Sequence, residues 1–210
     1  LKNKNKLINL KKENTMSLWG ASDADESKPK NLTTAEKKLV FASTRGWVQE
    51  PNNVRTGSDN ASAQPEVLVA MRKLTTKLGA ATITSCEFIT TAWDASAGGT
   101  LQCRVRWNEA VDVVEGGSGL KLNVNRTPDG GSAASHTLRY ASGTGGNELG
   151  FSLAIAGGSP VAALDSFAIT EQNLAFGGGT TLKDAGTETT AERVITTAQA
   201  AAAGTLVATA

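Results

Sequence analysis

The stretch TLQCRVRWNEAV, Thr100 to Val111, constrains the fold more than any other part of the chain. Leu101, Cys103, Val105 and Trp107 alternate with Gln102, Arg104, Arg106 and Asn108. A period of two places the first set on one face of an extended strand and the second on the other. A helix would scatter the same apolar residues around its circumference, so the stretch reads as a strand with one face against a core.

The period recurs further on. GLKLNVN carries Leu120, Leu122 and Val124, SHTLRYAS carries Leu138 and Tyr140, and NELGFSLAIA carries Leu149, Phe151, Leu153 and Ile155. TITSCEFITTAW, LDSFAITEQNLAF and AERVITT read as further strands, with turn signals at DASAGG, GGG and DAGT. Strands spaced roughly ten to fifteen residues apart and separated by glycine-rich turns describe a β-sandwich. The 22 glycines of the chain fit that turn-rich arrangement.

The 210 residues suffice for one good-sized domain, or for a smaller one carrying an extended arm. The second division fits the pattern: a basic leader at 1–15, an arm at 16–80, a sandwich at 81–197 and a tail at 198–210. The tail, AQAAAAGTLVATA, reads as a short helix and a final strand, or as a loose end. The arm is polar and mostly irregular, with scattered anchors at Trp19, Phe41 and Trp47. A short helix is expected over Thr33 to Phe41, capped by Thr33 or Thr34, and PEVLVAMRKLT (Pro65 to Thr75) could close the arm as a strand. Isolated tryptophans in a polar segment more often dock on a folded neighbour than build a core, because each ring buries a large area at little entropic cost. Trp19, Phe41 and Trp47, with Arg45 as a polar companion, are therefore the expected partner-binding residues.

A net charge of +1 argues against a dedicated nucleic-acid binder, and no apolar run reaches the roughly 20 residues that span a membrane. LKNKNKLINLKKENT has lysines but neither an apolar stretch nor a cleavage site, so it does not read as a signal peptide. Its lysine and asparagine bias suits an A/T-rich upstream region ahead of a start at Met16; the other reading is a basic arm against nucleic acid or an acidic partner. Cys86 and Cys103 could pair across neighbouring strands, but two reduced, buried thiols are the expectation.

No catalytic or metal-binding constellation emerges. Glu109 ends the clearest strand and reads as a structural or surface carboxylate, since Asp112 and Glu115 on the same loop do not form an opposed pair. His136, the only histidine, heads a strand without partners at triad or metal spacing. Asp112, Glu115, Asp129, Asp165 and Asp184 are too dispersed for a calcium loop. GGSGLK and GTGG read as hairpin turns, not phosphate loops. No cofactor is expected.

Taken in order, GTLQCRVRWNEAVDV, LKLNVN, LRYASGTGGNELGFSLAIAGG and NLAFGGGTTLKDAGTE resemble bacterial Ig-like repeats of the SwmB type, from about Ala81 to Thr197. Trp107 stands where those repeats usually have Phe, and GGGTTLKDAGTETT departs from their usual D-A-A-G-N ending. The resemblance implies an all-β, immunoglobulin-like β-sandwich. The opening MSLWGASDADESKPKNLTTAEKKLVFASTRGWVQE is similar to those of small structural proteins of tailed phages, especially T4-like phages of marine bacteria. That likeness implies a non-enzymatic virion structural protein, present in many copies or as a homo-oligomer and bound to capsid or other virion proteins through its arm. Capsid decoration is the expected place, with a neck or tail component, or a bacterial surface adhesion module, as alternatives.

Overall fold

The computed structural model describes residues 28–29, 31–51, 60, 63–76, 78–130, 133–158 and 160–210. Trp19 and the leader lie outside them.

The N-terminal segment folds. Thr33 caps helix α1 (Thr34–Lys37): its hydroxyl accepts from the Glu36 N–H at 3.2 Å, and the Glu36 carboxylate accepts from the Thr33 N–H at 2.8 Å. The helix stops short of the expected Phe41, because Val40 already belongs to strand β1 (Val40–Ser43). A tight turn at Thr44 and Arg45 leads to β2 (Gly46–Gln49), and β3 (Glu66–Ala70) pairs antiparallel with β2. Leu32, Val40, Ala42, Trp47, Leu74 and Leu78 form a core of their own. The expectation of an extended, mostly irregular arm is thus corrected for these residues. Trp47 has its own core because Val40 and Ala42 on one strand and Leu74 and Leu78 after β3 supply apolar neighbours that the polar composition hides.

The rest of the chain is all-β. Its strands are β4 (Ile83–Phe88), β5 (Trp93–Asp94), β6 (Gly98–Val114), β7 (Leu120–Thr127), β8 (Ala134–Ser142) and β9 (Gly146–Ala156). They continue as β10 (Ser166–Ile169), β11 (Gln172–Asn173), β12 (Ala175–Phe176), β13 (Thr181–Asp184) and β14 (Val194–Ile195). Helix α2 (Thr197–Ala203) and β15 (Thr205–Thr209) complete it. Across the sheet, β6 is followed by β9, β8, β7, β10, β15 and β5; β4 and β13 share the other edge of β6, and β12 lies beside β7. Strands β11 and β14 pair separately.

The alternation read from the sequence sets the faces. Leu101, Cys103, Val105 and Trp107 are all buried, as are Leu120, Leu122, Val124, Leu138, Leu149 and Phe151. They meet in one core, where Trp93 and Phe167 pack edge to face at 5.7 Å and the Trp107 indole N–H donates to the Glu192 carbonyl at 2.9 Å. Each fully buried Leu or Val contributes about 1.5–3 kcal/mol, so this core dominates the stability. Cys86 and Cys103 are free thiols within it, and burial pushes their pKa values up to about 11 and about 12.

Two features close the fold. Gly177–Thr180 carries the chain from the β7 side to the β6 side, and a Cβ on Gly177 would lie 2.4 Å from the Ser118 nitrogen. Only glycine permits that approach. At the other closure, α2 is fixed by the Gln199 side chain, whose N–H donates to the Ile83 carbonyl at 2.6 Å, while β15 pairs with both β10 and β5. Residues 198–210 therefore belong to the domain instead of trailing from it.

Candidate interaction surface beneath the N-terminal unit

Strand β6 turns Arg104 and Arg106 away from the core. The register sets Glu87 of β4 opposite Arg104 and Glu148 of β9 opposite Arg106. Opposite charges facing each other across strands are favourable pairs, and here they form a cluster. Arg104 reaches Glu87 at 2.6 Å and Glu148 at 3.3 Å; Arg106 reaches Glu148 at 3.0 Å and also pairs with Glu87.

The N-terminal unit lands on this cluster. Glu50, just past β2, brings its carboxylate 3.4 Å from the Arg106 guanidinium and accepts from the Asn147 side-chain N–H at 2.9 Å. Ala42 of β1 pairs in parallel with Glu109 of β6, and the Ala185 N–H donates to the Ala110 carbonyl at 3.0 Å. Gly186 packs so closely on Thr75 that an added Cβ would sit 2.4 Å from the threonine Cβ. Arg106, Asn108 and Glu109 of β6 are all buried, Asn108 accepting from the Thr82 N–H at 2.7 Å. Glu109 is not the exposed strand end expected from the sequence. It lies inside a 17-residue strand, at 0% exposure, beside Ala42 of β1.

Burial separates the carboxylates electrostatically. Desolvation raises the Glu50 pKa, and the attraction of Arg106 does not offset it. Glu87 is more exposed; burial pushes it up too, but Arg106 and Arg104 together hold it below the ordinary value. A cleft of about 670 Å³ remains beside the cluster, lined by Leu39, Phe41 and Glu50 on one side and Arg104, Arg106 and Glu148 on the other. Phe41 also lines a second cleft of about 350 Å³, with Val48, Thr75 and Gly186.

The residues expected to bind a partner do not form one patch. Phe41 faces the clefts and is 6% exposed, whereas Trp47 lies on the opposite face of the hairpin at 0%. Trp47 packs in the N-terminal core, and Phe41 lines the clefts. Arg45 is exposed at the turn between β1 and β2, and Trp19 falls outside the described residues. The sequence reading missed Arg106, Glu50 and Asn147. The Arg-x-Arg spacing of Arg104 and Arg106 was visible, but their partners lie on three separate strands or loops.

Among the described residues, no group of three His, Cys, Asp or Glu side chains is placed to hold a metal ion. His136 tilts against Phe167 at 5.7 Å, and burial lowers its pKa, with Arg126 adding to the shift. No described helix is long and apolar enough to cross a membrane. The comparisons with protein-family models, with curated proteins and with solved structures each return no match.

Proposed function

We propose that this chain is a non-enzymatic structural protein of a tailed-phage virion, a capsid decoration protein built on an immunoglobulin-like sandwich. The likeness of residues 16–50 to phage structural proteins, and of 81–197 to Ig-like repeats, supplies the context. One structural observation supports a scaffold over a catalyst. Two arginines of β6 and three glutamates pair with one another, and one of those glutamates, Glu50, clamps the N-terminal unit to the sheet. Charges engaged in mutual pairs hold parts of a fold together.

Attachment then falls to surfaces outside that clamp. Arg45 at the hairpin tip and Val67 on β3, 39% exposed, are among the outward residues of the N-terminal unit. Many copies on a symmetric shell would turn modest contacts of this size into firm attachment. A neck or tail position uses the same surfaces at lower copy number.

A bacterial adhesion module is the second reading, and one observation favours it. Leu164 is 64% exposed at one end of the sheet and has φ 68, a left-handed backbone that a leucine adopts only under constraint. Asp165 supplies the constraint, accepting from the Ala162 N–H at 2.9 Å, the Asp129 N–H at 3.1 Å and Arg126 at 2.8 Å. A rigid loop presenting an apolar side chain suits recognition by sandwich-end loops.

Mass spectrometry of density-purified phage particles tests the first reading, with copy number measured against the major capsid protein. A number near that of the shell subunits supports decoration, and a few copies move the chain to neck or tail. Absence from the particle overturns the virion reading.

A further inference from the structure

His136 is the only histidine of the chain. The register of β8 on β7 sets it opposite buried Val124, so its ring lies on the core side of the sheet. Arg126, two residues further along β7, stands diagonally across from it on the same face, within reach of a long side chain. Phe167 of β10 pairs with Arg126 in register and packs at 5.7 Å against the His136 ring and at 5.7 Å against Trp93 of β5. Of the elements around the ring, β7 brings the Arg126 cation, β10 and β5 bring aromatic rings, and β9 is uncharged from Gly150 to Ala156. Asp165, just ahead of β10, lies beyond Arg126.

The His136 Nε2 atom is buried, and among the described residues no group bonds to it. A neutral ring tolerates that with its proton on Nδ1. A protonated ring must point an N–H at no acceptor and set a second cation beside Arg126. Burial first, and Arg126 second, hold its pKa below the ordinary value of 6.5.

Arg126 carries that effect onward. Its guanidinium meets the Asp165 carboxylate at 2.8 Å and donates to the Pro160 carbonyl. Asp165 is 1% exposed and also accepts from the Ala162 N–H at 2.9 Å and the Asp129 N–H at 3.1 Å. Ala162 to Asp165 is the turn that holds Leu164 outward with φ 68. Such a backbone persists only where its surroundings hold it.

We propose that His136 is an acid-sensitive latch on this turn. Neutral, it leaves Arg126 to clamp Asp165 and keep Leu164 in its strained form; protonated, it repels Arg126 and loosens the turn. The folded state disfavours the proton, so the latch is fully closed above the ordinary histidine value of 6.5 and weakens as pH falls through it. Asp165 does not share in this titration. The Ala162 N–H, then Arg126 and the Asp129 N–H, hold it below the ordinary carboxylate range, so it stays ionised across the window. The latch does not depend on the proposed virion role, and either can fail alone.

A lone histidine makes the test direct, because its ring C2 proton gives one signal in the NMR spectrum of the full chain. Between about pH 7.5 and about pH 5 that signal should titrate with a midpoint below 6.5, and the Asp129, Ala162 and Leu164 amide signals should shift with the same midpoint. Hydrogen exchange at those amides, corrected for the intrinsic effect of pH, should quicken severalfold over the same range, while Leu122 in the middle of β7 stays protected. His136→Phe keeps a ring against Phe167 but takes no proton, and should abolish both responses. A histidine that titrates at or above 6.5, or amides that ignore its titration, overturns the latch in the parent chain alone, whether or not the variant folds. A pH response that survives in folded His136→Phe overturns it as well.

Discussion

The Asn147 side-chain N–H donates to the Glu50 carboxylate at 2.9 Å, a bond between residues 97 positions apart. It ties strand β9 to the end of the β1–β2 hairpin. Arg106 approaches the same Glu50 oxygen at 3.4 Å, so a single carboxylate joins the N-terminal unit to two strands of the sheet. The bond fixes a position, but the charge it involves is poorly solvated.

That tension predicts the behaviour of Glu50→Gln. Burial raises the Glu50 pKa in the fold, so its ionised form opposes folding at neutral pH, and that loss disappears as the proton is taken up. Glutamine keeps a side-chain oxygen for Asn147 and carries no charge. Urea unfolding should therefore show Glu50→Gln at least as stable as the parent chain at pH 7, with the difference vanishing towards pH 4. A clear loss at pH 7 would mean that the Arg106 pairing outweighs burial.

Glu87 should respond in the opposite sense. Burial raises its pKa, but Arg106 and Arg104 bring it below the ordinary value, so its contribution is present above the usual glutamate range and drains as pH falls through it. Glu87→Gln should destabilise the chain at pH 7 and flatten the loss between about pH 5 and pH 3. The side chain is 37% exposed, so screening by water keeps the effect at about 1 kcal/mol or less. An unchanged acid limb in the variant would rule out this pairing as a source of stability.

These residues also mark what the sequence could reveal. Alternation exposed Leu101, Cys103, Val105 and Trp107 as a core face, because a strand against a core writes its period locally. The order of strands from Ile83 to Ile155 was legible for the same reason. Glu109 was not: its strand partner is Ala42 of β1, 67 positions earlier, and no local pattern announces a pairing at that distance. Trp47 failed for a related reason: its apolar neighbours, Val40, Leu74 and Leu78, are spread over 39 positions of otherwise polar chain. The tail was ambiguous because AQAAAAG offers a helix but no visible partner, and Gln199 finds Ile83 only in the folded sheet.

Trp47 gives a direct test of the N-terminal core. Removing the ring leaves a cavity among Leu32, Val40, Leu74 and Leu78, and truncations of this kind cost about 3–5 kcal/mol. Trp47→Ala should unfold α1, β1, β2 and β3 at lower denaturant than the sheet, seen as early amide exchange in those elements. A fully protected segment together with lost partner binding would instead make Trp47 an external anchor.

Gly186 tests the docking of that unit without touching its core or its charges. A Cβ at this position would lie 2.4 Å from the Thr75 Cβ and 3.0 Å from the Thr75 carbonyl carbon, with backbone leaving little room to yield. The Gly186 N–H also donates to Asp184 at 2.6 Å, which holds the loop in place against Thr75. Gly186→Ala should force the two apart, at about 1–3 kcal/mol for overpacking. Hydrogen exchange should rise at Ala185, whose N–H bonds the Ala110 carbonyl, and at the Glu50 contact, while β7 and β8 stay protected. Thr75→Gly, which removes the opposing side chain, should recover most of the loss in the double variant. Failure of that rescue would show that Gly186 is needed for its own turn and not for the contact.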